Sequence, residues 1–411
     1  MLQEKQAIQK KQKFDYAVYI GRFQPFHLGH MHCVTEALQN AEKLIIVIGS
    51  TNQARSFRNP WSFEERQQMM VESLSRSQLS RIIFVGIEDS FYEPGQWRTE
   101  VRRLVADSIT SDRHGKRKSN ASVLITGHFR DNTSQYLRQF MEWKYISVND
   151  YQSIHATTIR NSWFDAFREG GQGKESVSMT SAREISDRKK RQQQWIESNQ
   201  STLSANGLQW LINFSTLEQA TKIIEEAQYI KEYRAHVSQL RWPVVLVTTD
   251  AVLIQNRQVL MVKRRGFPGK GLWALPGGFV DQDERIEDAL FRELKEETGV
   301  NLSSHELNQC QLATHVFDDP DRSSRGRTIT HASVYQLPDM FDHKLQAGDD
   351  ASEVCWFDLN SLIEIRDQIF EDHYQIVRYF ESRYLRDTNS EQNVTIIKFY
   401  NNNKQGGFCY D

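Results

Sequence analysis

The segment GFVDQDERIEDALFRELKEETGV spans residues 278–300. Ile286, Ala289, Leu290 and Leu294 recur at helical spacing and supply one apolar stripe for burial. The pattern predicts a helix over Glu284–Thr298, stopped by Gly299. Glu293, Glu296 and Glu297 fall on another face, at i, i+3 and i+4. Like charges at these spacings cost a helix about 0.2–0.5 kcal/mol per pair. A solvated acidic face is the ordinary meaning of such a run. Three carboxylates on one face are also an oxygen cage suited to Mg²⁺ or Mn²⁺.

Around this helix lie strand-like runs at Val244–Thr248, Val252–Ile254, Val259–Val262 and Ser333–Leu337. They predict an α+β domain over residues 243–385. Residues 386–411 read as an asparagine-rich tail, with Val394–Phe399 its one apolar run. Residues 207–242 read as a connecting helix, its helical pattern running from Thr216 to about Val237. Residues 169–206, with few apolar positions, a Lys-Lys-Arg run and a glutamine cluster, read as a linker or insertion with some helical content.

The first half has a different texture. Apolar runs at Tyr16–Ile20, Leu44–Ile48, Ile82–Val85, Val123–Ile125 and Tyr145–Val148 alternate with helical patterns. Ser62 and Glu65 form a capping box ahead of one of them. The alternation predicts an α/β domain over residues 14–168, with a parallel sheet that binds ligands at the C-terminal strand ends. The string GRFQPFHLGH, residues 21–30, follows the first strand directly. A strand, a glycine turn and a helix start put anionic groups at a helix N-terminus. Gly21 and Gly29 are expected to let a phosphate approach the backbone. His27 and His30 can donate to phosphate oxygens there, and Arg22 adds fixed positive charge.

Two resemblances extend these readings. Gly278, Glu284 and the run Arg292-Glu293-Leu294 through Glu296-Glu297 to Gly299-Val300 match the Nudix box at each defined position. The resemblance implies metal binding by Glu293, Glu296 and Glu297, with the Gly278 carbonyl, and a glutamate-orienting role for Arg292. It also implies a general base outside the box, for which Asp349, Asp350 and Glu353 are candidates. The loop holding Arg322, Arg325 and Arg327 resembles those of Nudix enzymes acting on ADP-ribose. Lys263, Arg264 and Arg265 form a second basic cluster that can meet diphosphate oxygens.

The string GRFQPFHLGH resembles the HxGH nucleotidyltransferases, most of all nicotinamide-mononucleotide adenylyltransferases of the archaeal type. Their second motif has a counterpart in Ile154 to Arg160, where His155 replaces the usual serine. The resemblance implies that Arg160 holds the outer phosphates of ATP and that Phe23, Gln24 and Thr157 line the site. Asn59-Pro60-Trp61 ahead of Glu65-Arg66 fits the same family. Gly127, His128 and Arg130 fall on the adenosine side, and Trp97 where an aromatic ring stacks on the nicotinamide. The order of the two modules resembles a bifunctional NAD-metabolism family. That family makes NAD from nicotinamide mononucleotide and ATP and hydrolyses ADP-ribose to AMP and ribose 5-phosphate. Two alternatives remain: a Nudix domain serving as a nucleotide sensor, and transfer to another phosphate acceptor.

The bulk numbers set outer bounds. The 411 residues suffice for two or three domains, and a net charge of −2 gives no support for nucleic-acid or membrane binding. Cys33, Cys310, Cys355 and Cys409 form no CxxC pair, which argues against a zinc site or disulfide framework and fits a cytoplasmic setting. No leader-like apolar run opens the chain. Oligomeric state is left open, a homo-oligomer included.

Overall fold

A computed structural model describes residues 13–113, 121–127, 139–168, 182–339, 344–348 and 350–385. The chain forms two compact units. The first gathers Met1–Thr51, Trp61–Asp89 and Gly95–Ala220, and the second Asn52–Pro60, Ser90–Pro94 and Thr221–Asp411.

Along the first half run β1 (Phe14–Gly21), α1 (Leu28–Asn40), β2 (Ala41–Ile48), α2 (Phe63–Ser73), α3 (Arg76–Leu79) and β3 (Ile82–Gly86). Then come α4 (Pro94–Asp112), β4 (Val123–Gly127), β5 (Lys144–Ser147), α5 (Ala156–Phe167), α6 (Ala182–Asn199) and α7 (Ala205–Phe214). All five expected strands are present. They pair in parallel in the order β3-β2-β1-β4-β5, so the winding reverses between β1 and β4. Tyr16, Val18 and Ile20 of β1 pack with Ile45, Val47 and Ile125 against Val101 and Val105 of α4. The Ser62–Glu65 capping box forms at α2.

Part of the stretch read as a linker is folded. Residues 182–199 form α6 against α5, because Trp195 is buried and its indole N–H donates to Ser162 Oγ at 3.0 Å. The helical pattern over Thr216–Val237 forms α8 (Glu218–Ser238), and a separate helix, α7, precedes it in the connection. Trp210, Leu211 and Phe214 of α7 are buried, with Phe214 in ring contact with Trp61 and Trp163.

The second unit continues from α8 through β6 (Leu246–Gln255), β7 (Gln258–Arg264), β8 (Trp273–Ala274), β9 (Gly277–Phe279) and α9 (Ile286–Thr298). It closes with α10 (Ser304–Gln309), β10 (Gln311–Phe317), β11 (Thr328–Gln336), β12 (Ala351–Asp358) and α11 (His373–Tyr384). The sheet order is β10-β11-β6-β7-β12, with β8 on β7 and β9 on β6. The β6–β11 pair is parallel and the other pairs are antiparallel. Side chains alternate across a strand, and the sheet uses both faces. Val252, Ile254, Val259 and Met261 meet Ile376, Val377 and Phe380 of α11. Ala251, Leu253, Leu260 and Val262 meet Leu290 and Leu294 of α9.

Several expectations need correction. The run 252–254 and residues 246–248 of the run 244–248 belong to one strand, β6. Thr249 and Asp250 interrupt the apolar pattern yet are buried, because Thr249 Oγ1 donates to His331 O and Thr330 Oγ1 donates to Asp250 Oδ2. Two segments read as part of the first domain group with the second unit. Arg58 pairs with Asp321 at 2.9 Å, and Tyr92 packs on Phe317 with centroids 4.8 Å apart. Cys33 and Cys310 are free thiols. Among the described residues no helix is long and apolar enough to cross a membrane.

Candidate active sites

In the first unit β1 delivers the chain into the loop Arg22–His27 beside the point where the strand order reverses. That crevice is where open parallel sheets hold ligands. His27 caps α1: its Nδ1 accepts from the His30 N–H at 3.4 Å, and His30 Nδ1 accepts from the His27 N–H at 3.3 Å. The rings stack with centroids 3.6 Å apart. With both Nδ1 atoms accepting, the neutral tautomer of each ring carries its proton on Nε2, as a donor. The glycines serve these rings. A Cβ at Gly21 would stand 2.9 Å from the Phe23 ring, and one at Gly29 3.0 Å from His27.

Arg160 of α5 is buried and donates through Nη1 to the Gln24 carbonyl at 2.8 Å; Nη2 lies 3.5 Å from Thr157 Oγ1. The Gln24 side chain donates to Trp61 O at 2.9 Å and accepts from Trp61 N–H at 3.2 Å. The second motif is therefore brought onto the first. Arg66, singled out only as part of a family string, is fully buried. It donates to the carbonyls of Ser62, Arg22, Gly49 and Ser50 at 2.6–3.0 Å. It ties the exits of β1 and β2 together, and burial draws its guanidinium down to about 10. The Arg22 side chain is exposed. Gly127 ends β4 and accepts from Val148 N–H at 3.0 Å. His128 and Arg130 lie outside the described residues. Trp97 is half-buried against the core, 6.3 Å from Phe140.

In the second unit α9 presents the acidic residues at three depths. Glu296 is exposed, Glu293 half-buried and Glu297 only 7% exposed, so Glu297 borders the apolar stripe instead of facing away from it. Arg292 holds Glu284 through two bonds of 3.1 and 2.7 Å, Glu293 at 2.9 Å, Glu296 at 3.2 Å and Phe279 O at 3.1 Å. Glu297 Oε2 accepts from Gly277 N–H at 2.9 Å. Burial pushes the Glu297 carboxyl up to about 8; the Gly277 N–H opposes the shift, and Glu293 adds to it. A Cβ at Gly278 would stand 2.3 Å from Glu293 Oε1, so only glycine lets this backbone meet that carboxylate.

Among the described residues no group of three or more His, Cys, Asp or Glu side chains stands assembled as a metal cage. Arg292 draws Glu293 and Glu296 to itself. The donor set still fits a hard divalent cation: oxygen ligands only, and a buried carboxyl whose charge has no cation in contact.

The basic residues divide. Arg322 is buried and pairs with Asp372 through bonds of 2.9 and 3.0 Å, so it braces the fold. Arg327 turns to Asp318. Arg325 stacks over Phe279 at 4.8 Å, and Arg264 over Phe370 at 4.3 Å. Burial draws Arg264 down, Arg325 lowers it further, and Glu371, Glu297 and Asp350 oppose the shift. Thus Arg264, Arg325 and Glu297 form one electrostatic neighbourhood. Of the base candidates, Glu353 is engaged by Lys263 at 2.8 Å, Asp350 is exposed and Asp349 lies outside the described residues.

Sequence reading missed Glu371, Asp372 and His373. Asp372 occupies the N-cap position of α11, a signal that was present, but its side chain makes no capping bond. It serves Arg322 instead.

Comparison with known proteins agrees with this architecture. Residues 18–162 match the cytidylyltransferase-like family and residues 245–380 the NUDIX domain family. A nicotinamide/nicotinic acid mononucleotide adenylyltransferase of Acinetobacter baylyi is 38% identical over 165 residues, 38% of this chain and 83% of that protein. An ADP-ribose pyrophosphatase of Methanocaldococcus jannaschii is 34% identical over 173 residues, 42% of this chain and 90% of that protein. A crystal structure from Francisella tularensis is described as a bifunctional NMN adenylyltransferase/ADP ribose pyrophosphatase complexed with AMP and a Mn ion. It superposes with a TM-score of 0.75 at 34% identity, over 90% of this chain and 99% of that one.

Proposed function

The chain belongs to the family of bifunctional NMN adenylyltransferase/ADP-ribose pyrophosphatases, and from that premise we propose that the loop 21–30 and α5 carry adenylyl transfer while α9 carries hydrolysis. It is a nucleotidyltransferase and a Nudix hydrolase in one polypeptide, and the Nudix half uses a divalent cation. We take that cation to be Mg²⁺, with Mn²⁺ able to replace it.

In the first reaction a phosphate oxygen of nicotinamide mononucleotide attacks the α-phosphorus of ATP. The bond from that phosphorus to the β-bridging oxygen breaks, and pyrophosphate leaves with the electron pair. The phosphate nucleophile is already mostly dianionic near neutral pH, so the protein's task is positioning and charge stabilisation. The Nε2–H groups of His27 and His30 donate to the phosphates as charge builds, Arg22 adds positive charge at the mouth, and Arg160 fixes the loop from behind and faces the outer phosphates. Phe23, Gln24, Thr157 and Gly127 shape the pocket, and Trp97 stacks on the pyridine ring.

In the second reaction water adds to one phosphorus of ADP-ribose and the bond to the bridging oxygen breaks, giving AMP and ribose 5-phosphate. A divalent cation offsets diphosphate charge and lowers the pKa of water. Glu293, Glu296, Glu297 and the Gly278 carbonyl hold it. Arg292 orders the carboxylates, Arg264, Arg325 and Arg327 attract the diphosphate, and a carboxylate of the group Asp349, Asp350 and Glu353 accepts the water's proton.

The observation that best supports the assignment is the bond from Arg160 to Gln24, across 136 residues, which joins the two motifs of the transferase head. The test is direct. The purified full chain with Mg²⁺ should form NAD from nicotinamide mononucleotide and ATP and release AMP from ADP-ribose. Absence of either product sinks that half of the reading.

A further inference from the structure

Glu371 has a backbone that needs explanation. Its φ is +42°, in the region that L residues avoid. Between residues 243 and 385 the other described non-glycine residues with positive φ are Asn256 and Arg257. Those two form the tight turn between β6 and β7, where a type I′ hairpin requires positive φ. Glu371 also stands in a turn, closed by the His373 N–H donating to the Phe370 carbonyl at 3.1 Å, but a positive φ at the first central position of such a turn ordinarily falls to glycine. A strained backbone persists where its surroundings over-determine it, and such residues concentrate at functional sites.

What holds Glu371 is visible. Its Oε1 accepts from the Ser324 N–H at 2.8 Å, within the loop that carries Arg325. Its charge acts on Arg264, which Arg325 repels. The neighbours of Glu371 fix the surrounding loops. The Phe370 ring lies 4.3 Å from the Arg264 guanidinium and fills the space a Cβ at Gly269 would need, at 2.2 Å. Asp372 grips Arg322 with two bonds, and His373 Nδ1 accepts from Leu275 N–H at 2.8 Å, just ahead of Gly277 and Gly278. Four consecutive residues therefore reach the Arg264 strand end, the 322–325 loop and the entry to β9.

We propose that Glu371 is a positioning residue for ADP-ribose hydrolysis: its left-handed backbone lets one carboxylate hold the Ser324 N–H and face Arg264, so that Arg264 and Arg325 are set to receive the diphosphate. This rests on the assignment of those two arginines to substrate. Like-charged guanidiniums separate unless an anion stands between them. Glu371 supplies that anion before substrate arrives, and the diphosphate does so afterwards.

The test compares steady-state kinetics of the full chain with ADP-ribose and Mg²⁺. Glu371→Gly relieves the backbone strain and removes the carboxylate. The KM for ADP-ribose should rise about tenfold or more, the scale of a lost hydrogen bond to a charged group, with a smaller fall in kcat. Glu371→Gln keeps an oxygen for Ser324 but removes the charge that faces Arg264, so it should recover only part of the KM. NAD synthesis should be unchanged in both. A Glu371→Gly variant with wild-type KM overturns the proposal even if its Tm falls, because a merely structural residue behaves that way. Arg264→Ala and Arg325→Ala are run alongside. If neither raises KM, the assignment of the arginines fails. If they raise it and Glu371→Gly does not, only the positioning role fails.

Discussion

The Glu297 carboxylate accepts the backbone N–H of Gly277 at 2.9 Å while itself almost fully buried. Burial and the charge of Glu293 outweigh the relief given by the Gly277 N–H and the charge of Arg264, so this carboxyl favours a bound cation. Replacing Glu297 with Gln keeps shape and helix propensity but removes the charge. The metal-free protein should be as stable as wild type or slightly more so. Stabilisation by Mg²⁺ or Mn²⁺, read as the shift in Tm, should shrink. AMP release from ADP-ribose should fall about 100-fold or more, as metal positioning fails. NAD synthesis should survive. An equal metal response in both proteins would return α9 to a solvated acidic face.

The transferase head depends on the stacked pair His27 and His30. His30→Ala should lower NAD formation by about 10²-fold, the usual cost of a transition-state donor. ADP-ribose hydrolysis should not change. The variant also loses the His30 acceptor for the His27 N–H, so a small drop in Tm is expected. If NAD formation falls only in proportion to unfolded protein, His30 is a cap and nothing more.

Trp97 is half-buried beside Phe140, which is compatible with one ring face on the core and the other on a ligand. Trp97→Ala should raise the KM for nicotinamide mononucleotide about fivefold or more, the scale of a cation–π contact, and that for ATP much less. Equal effects on both substrates would leave Trp97 as packing alone.

Glu226 of α8 is buried and accepts the Gly269 N–H at 3.0 Å. Burial pushes its carboxyl up to about 7; Glu371 adds to the shift and Arg264 opposes it. A folded pKa above the unfolded one gives stability that is complete below the unfolded value and is lost as pH rises through the folded one. Wild type should therefore lose stability relative to Glu226→Gln between about pH 4.5 and pH 7. Tm measured across that window in both proteins decides the matter; parallel curves would show that Glu226 does not titrate there.

Much of this protein was legible in its sequence because the signals are local. The spacing of Leu290, Leu294 and Glu293 to Glu297 specifies a helix with an apolar stripe and an acidic edge, whatever surrounds it. The run from Gly21 to His30 specifies a strand exit and a helix start, and the two histidines cap that helix with their own side chains. Alternation of strands and helices specified the parallel sheet. Tertiary structure decided what each charge is for. Arg322 and Arg325 are three residues apart in one basic loop, yet the first is a buried brace to Asp372 and the second stacks on Phe279. Their difference depends on a partner 50 residues away, and no local pattern encodes a pairing at that distance. The same holds for the polar centre of β6, which reads as a break until Thr330 and His331 stand beside it, and for Glu371, whose carboxylate meets Ser324 only in the fold. Local sequence fixes backbone preference and side-chain period; burial and long-range pairing, which fix the energy of a charge, arise only once the chain has closed on itself.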